Sequence, residues 1–174
     1  MKTFGTHADQ TPDGMLCPIN FPVMLRLDEW TPDKRIIESA GFSVRDLPHP
    51  VSFLRETPAE GHTGAIVAGK IDEVTIHDNG VVSGRGWLLD DSVGSDTARL
   101  VHAGALTGNS VDLTVQDMSL EADAKGNVFR RYSATTLAGT TVCPIPAFPG
   151  AFAEVPDEFA LAEAEGDLDA ADFR

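Results

Sequence analysis

The chain has 174 residues, of which 42% are hydrophobic, enough for one domain with its own core and flanking tails. Its formal net charge of -14 argues against direct binding to nucleic acid or anionic lipid, because both are polyanions, and favours a partner with a basic surface. Cys17 and Cys143 are too few and too isolated for a disulfide framework or a zinc site, so a reducing cytoplasm is expected and no cofactor or metal is predicted. No apolar run approaches the roughly 20 residues of a membrane span, and the start lacks a signal-peptide core.

The first third of the chain predicts a polar leader followed by short strands. Residues 1–17 are expected to be mobile, because the first fourteen are polar and show no periodicity. Residues 18–27 alternate apolar and polar side chains and predict an edge strand, since Pro22 cannot donate to a central ladder. The apolar positions of residues 35–44 fit a short helix or a strand equally well. Residues 50–55 predict another strand.

A histidine and a hairpin come next. His62 follows a glycine at the mouth of a predicted strand over residues 65–76. An Asn-Gly turn over residues 77–80 joins this strand to residues 81–89 as a β-hairpin. The turn histidine beside an aspartate is not a candidate dyad, because neighbours at a hairpin tip point in different directions into water. His62 is the better candidate base, since it is held at a fixed point and histidine is the side chain suited to proton transfer near neutral pH.

Residues 97–103 predict a helix, capped by Ser95 or Asp96 and ended by Gly104 in left-handed geometry. His102 lies in its last turn, where positive charge is favoured by the helix dipole.

A turn at residues 107–109 leads into a strand that carries a hydroxyl group at its start. From Ser110 to Val115 polar and apolar residues alternate strictly, so Ser110 and Asp112 share one face while the valines and a leucine anchor the other. Such a serine is rigidly held and accessible. A serine cannot attack an acyl group unaided, so it needs a base from elsewhere in the chain. His62 is the first candidate, and His102 is the rival because it is close in sequence.

The remaining pattern predicts a polar connector over residues 116–127, a returning strand over residues 128–132 and a further β run over residues 134–142. Three prolines then stop the strand. From residue 154 the composition shifts to alanine and acids, which favours a mobile tail. Arg130 or Arg131 could help to hold an oxyanion, although pairing with surface carboxylates is the simpler role.

Four segments, in order, resemble the prohead proteases of tailed bacteriophages, and among these the proteases of phages that infect actinobacteria. They are residues 35–53, 61–74, 98–113 and 137–151, so the resemblance covers roughly residues 35 to 153. These proteases are serine enzymes of capsid maturation. The resemblance implies a fold related to the herpesvirus assemblins, with a serine nucleophile on a strand and a histidine base on an earlier strand. It places Ser110 at the nucleophile and His62 at the base.

One departure concerns the third catalytic group. Many members of that family carry a glutamate where this chain has Gly139. A Ser–His pair can still work if another group orients the imidazole, because the third group mainly fixes the tautomer and stabilises the imidazolium. Thr141 is the first candidate for that role and Asp112 is the alternative.

The predicted protein is therefore mainly β (α+β), an assemblin-like distorted barrel or sheet with one or a few helices. Residues 18–153 form the protease-like domain, between a leader over 1–17 and an acidic tail over 154–174 that resembles the start of a scaffold-like region. The predicted function is a serine endopeptidase that cleaves scaffold or the scaffold-like N-terminal segment of the major capsid protein. Its predicted place is the assembling prohead in the host cytoplasm, without nucleic-acid or membrane partners, and a homo-oligomer is an open alternative. A protease-fold assembly module that has lost turnover is the second hypothesis.

Overall fold

A computed structural model describes residues 1–55 and 62–157. This part of the chain is mainly β, with ten strands and one α-helix, which confirms the predicted fold class. The strands are β1 (Lys2–Gly5), β2 (Met15–Arg26), β3 (Arg35–Ile37), β4 (Phe42–Val44), β5 (His49–Phe53), β6 (Ile66–Ile76), β7 (Val81–Leu89), β8 (Asn109–Ala122), β9 (Val128–Val142) and β10 (Phe152–Glu154). The helix is α1 (Ser92–His102), and a 3-10 turn spans Ser39–Gly41.

All ten strands belong to one curled sheet, with the order β10-β2-β7-β6-β5-β9-β3 along its main path. Strands β4 and β8 also pair with β9, and β1 pairs with β6. The two ends of the curl meet at the start of β8, where Gly108 forms a bridge with Phe152 and the Ala153 amide donates to the Thr107 carbonyl at 2.9 Å. The curl encloses a core built mainly from the apolar side chains of β2, β5, β6 and β7, including Phe21, Val51, Ile71 and Leu88.

Several local predictions need correction. Pro22 does not mark an edge, because β2 lies between β7 and β10 and the proline falls where the β2–β7 register shifts. The helix begins earlier than predicted, with Asp91 as N-cap accepting from the Gly94 amide at 2.7 Å. The predicted polar connector is wrong as far as Ala122, because β8 continues to that residue. The length of β8 is set by its pairing with β9, and the polarity of its own residues does not predict that pairing.

The N-terminal segment also makes long-range contacts. Within the predicted leader, β1 pairs with β6, and β2 already begins at Met15. His7 stacks on the Trp87 ring with the ring centroids 4.7 Å apart, and its Nδ1 lies 2.8 Å from an Asp72 carboxylate oxygen. A polar segment without periodicity gives no local signal for such pairing, because the partners are more than sixty residues away. The predicted division into leader, domain and tail stays a prediction.

Candidate active site

Ser110 lies one residue inside the start of β8, opposite Thr141 of β9. It is only 7% exposed, so the prediction of an accessible serine needs correction, and the residue before it, Asn109, is fully buried. The Asn109 carboxamide oxygen accepts a hydrogen bond from the Thr140 hydroxyl, which also lies 3.2 Å from the Ser110 carbonyl oxygen. These buried contacts of the Thr140 hydroxyl therefore hold the backbone of Asn109 and Ser110 in place. The strand alternation predicted from the sequence places Asp112 on the same face as Ser110.

His62 lies in the turn before β6, fifty residues before Asp112 in the chain, yet the two side chains are in contact. The His62 Nδ1 is 2.5 Å from Asp112 Oδ1. Because an ionised carboxylate can only accept, Nδ1 carries the proton in this contact and Nε2 is left as the basic nitrogen. The Thr141 hydroxyl donates to the other Asp112 oxygen, Oδ2, at 3.2 Å. The carboxylate thus orients the imidazole and is itself held from β9.

One cavity of about 860 Å³ is lined by Ser110, His62 and Asp112 together. Its other walls come from β3, from Leu54 directly after β5, and from the proline-rich residues 144–149 that follow β9. The sequence pattern gave these prolines only as a strand stop. A hydroxyl, an imidazole and an orienting carboxylate in one cavity are the groups that nucleophilic acyl transfer requires.

The sequence of this chain matches the model of the family described as caudovirus prohead serine protease over residues 60–164, more than half of the chain. The chain belongs to that family. No curated protein and no solved structure matches it. The matched range includes Ser110, His62, Asp112 and Thr141, whereas the first segment of the resemblance, residues 35–53, lies before it.

Gly139, where the resemblance implies a glutamate, lies beside the candidate site. Gly139 is the register partner of Asp112. A Cβ atom on it would lie 3.1 Å from the Pro50 carbonyl oxygen and 3.3 Å from Asp112 Oδ2. A longer side chain at this position would compete with the Asp112 carboxylate for space. Asp112, predicted as the alternative third group, is the residue in contact with the imidazole, and Thr141 is linked to the imidazole through Asp112.

The rival base and the two arginines considered for the oxyanion do not line the cavity that contains Ser110. His102 lines a second cavity, of about 670 Å³, beside β10. Arg131 is paired with Glu38 at 2.7 Å and with Glu121 at 2.6 Å, so its charge is already compensated. Neither lines the cavity that holds Ser110, and Arg130 does not line it either.

Cys143 also lines this cavity and is the other potential nucleophile there. It is 3% exposed, and its thiol lies 3.6 Å from the Ile145 carbonyl oxygen. Burial, and to a smaller degree the negative charge of Asp112, raise the pKa of the Cys143 thiol. The thiol therefore stays protonated and unreactive near neutral pH. Cys17 is fully buried as well.

Within residues 1–55 and 62–157, no group of three or more histidine, cysteine, aspartate or glutamate side chains is arranged to hold a metal ion. No helix in the same ranges is long and apolar enough to cross a membrane.

Proposed function

We propose that this family member is an active endopeptidase that cleaves scaffold, or the scaffold-like N-terminal segment of the major capsid protein, inside the assembling prohead. The observation that carries the proposal is the His62–Asp112 hydrogen bond at the wall of the cavity that Ser110 also lines. The overall charge of -14 supports partners with basic surface and argues against nucleic acid as a partner.

In the proposed mechanism the Ser110 hydroxyl oxygen attacks the scissile carbonyl carbon while His62 Nε2 takes the hydroxyl proton. Asp112 keeps the Nδ1 proton in place and stabilises the imidazolium that forms. Backbone N–H groups near the start of β8 receive the oxyanion. The imidazolium then returns its proton to the leaving amine. Water repeats the sequence on the acyl-enzyme and frees Ser110.

Co-expression with the major capsid protein of the same phage tests the proposal. Wild type should give defined fragments by intact-mass spectrometry, and Ser110→Ala and His62→Ala should abolish them. Ser119→Ala, an exposed serine farther along β8, and His77→Ala, at a hairpin tip, are the matched controls and should leave cleavage unchanged.

Intact capsid protein in every sample, together with prohead assembly that still requires this chain, would refute the endopeptidase proposal. That result would instead support the assembly module without turnover, for which Gly139 in place of a carboxylate is the supporting feature.

A further inference from the structure

Basic residues cluster where β3 pairs with β9, although the chain as a whole is acidic. The chain has 13 lysine and arginine residues against 27 aspartate and glutamate residues. Four of the 13 lie together here, because the parallel register pairs Arg35 with Arg130 and Ile36 with Arg131, and Lys34 directly precedes β3. The local charge at this part of the sheet therefore differs in sign from that of the whole chain.

One arginine of this cluster, Arg35, lines the cavity of the candidate site beside Tyr132. Asp33 is its partner, but both oxygens of that carboxylate are engaged, one by Arg35 and the other by the Thr31 hydroxyl, which donates at 2.5 Å. A guanidinium has five N–H donors. The Arg35 side chain is 34% exposed, and its Nε has no acceptor in the described part of the chain. Asp33 therefore leaves donors of Arg35 for an acceptor from outside the protein.

Arg130 projects from the same face of the sheet as Arg35. Register partners on neighbouring strands share a face, and Tyr132, two residues after Arg130 on β9, lines the cavity on that face. Arg130 is exposed, and no carboxylate among the described residues pairs with its guanidinium. Like charges opposite each other on a sheet repel, and the Asp33 carboxylate compensates only one of the two. One positive charge is therefore in excess at this end of the cavity.

We propose that Arg35 and Arg130 bind an acidic side chain of the polypeptide substrate. This inference rests on the proposed endopeptidase function and adds a sequence preference to it. A carboxylate accepts hydrogen bonds from guanidinium groups and compensates the excess charge. The net charge of -14 opposes the contact only weakly, because charges more than about 8 Å away are largely screened at physiological ionic strength.

The acidic residue lies several residues from the scissile bond. The register partner of Ser110 is Thr141, which follows Tyr132 by nine residues on β9. A contact so far from the reacting carbonyl is equally strong in the ground state and in the transition state, so its loss raises KM and leaves kcat unchanged.

Binding of the full-length Ser110→Ala protein to the major capsid protein of the same phage tests the two arginines without cleavage. We expect Arg130→Gln in that background to raise Kd by about tenfold, the effect of losing one charge-assisted hydrogen bond. Arg85→Gln makes the same exchange at an exposed arginine of β7 that lines neither cavity, and should leave Kd unchanged. Equal Kd values for both variants, or no measurable binding, would overturn the inference. Cleavage by wild type reports separately on the proposed function.

A double-mutant cycle identifies the substrate residue. Synthetic peptides span the cleavage site by about twelve residues on either side, and each aspartate or glutamate in them is replaced in turn by asparagine or glutamine. One replacement should raise the KM of wild type by about tenfold, leave kcat within about threefold, and have little effect on Arg130→Gln. Replacements that raise KM equally for wild type and Arg130→Gln would contradict the proposed contact, as would a cleavage site without an acidic residue in this span.

Discussion

Replacing Asp112 by asparagine removes the charge that faces the His62 ring and keeps the size of the side chain. The carboxylate lies 2.5 Å from Nδ1, with side-chain exposures of 22% for His62 and 36% for Asp112. An ion pair at about 4 Å with an effective dielectric constant of about 20 is worth about 4 kcal/mol, and partial exposure to solvent reduces this to about 2–3 kcal/mol. An asparagine can also donate to Nδ1 and select the wrong tautomer, an effect that reaches about 10⁴-fold in kcat in serine proteases.

We therefore expect Asp112→Asn to lower kcat by about 10²- to 10⁴-fold and to change KM little, because Asp112 acts on the imidazole in the transition state. The assay is steady-state cleavage of a synthetic peptide that spans the cleavage site identified by mass spectrometry. The melting temperature is measured in parallel. Asp117→Asn is the control, since this exposed residue of β8 binds the Ser133 hydroxyl at 2.6 Å and does not line the cavity. A kcat for Asp112→Asn within threefold of wild type, in a folded protein, would refute the assigned role.

Three further outcomes can be checked. Thr141→Val removes a hydroxyl donor from the Asp112 carboxylate and should lower kcat by about tenfold with a near-normal melting temperature; loss through KM alone would contradict it. Burial lowers the pKa of the His49 imidazole in the folded protein, so the unfolded chain binds a proton at a higher pH than the folded chain does. As pH falls below about 6.5, stability therefore decreases, by at most about 1.4 kcal/mol per pH unit. Urea unfolding at pH 7 and pH 5 should show this loss in wild type and a smaller one in His49→Gln. His7→Ala removes the stack on Trp87 and should lower the free energy of unfolding by about 1–2 kcal/mol, whereas an unchanged urea midpoint would exclude a stabilising role for His7.

Sequence patterns that span only a few residues predicted turns and strand starts well. The hairpin turn between β6 and β7 was predicted from an Asn-Gly pair, and β8 was predicted to start at residue 110, against Asn109 in the structure. Alternation after Ser110 also predicted that Asp112 shares its face. Helix α1 was predicted in the right region but several residues short, because Asp91 was not recognised as its cap.

What a sequence cannot supply is the pairing of distant segments. The approach of His62 to Asp112 depends on the β5–β9 and β8–β9 registers and on the turn before β6, and none of these leaves a local pattern. The same holds for the cavity wall after β9. The prolines after β9 indicate that the strand ends there, but they do not indicate which part of the molecule the following residues contact.

Alternation, turn residues and short motifs were enough to predict the mainly β class, the strand that carries Ser110 and the family of the chain, because they are properties of neighbouring residues. That Asp112 and not Thr141 lies against the imidazole became visible only in the folded chain, as did the cavity wall formed by the residues after β9. Both depend on which strands become neighbours, and that choice is made by the burial of the whole core and not by any one segment.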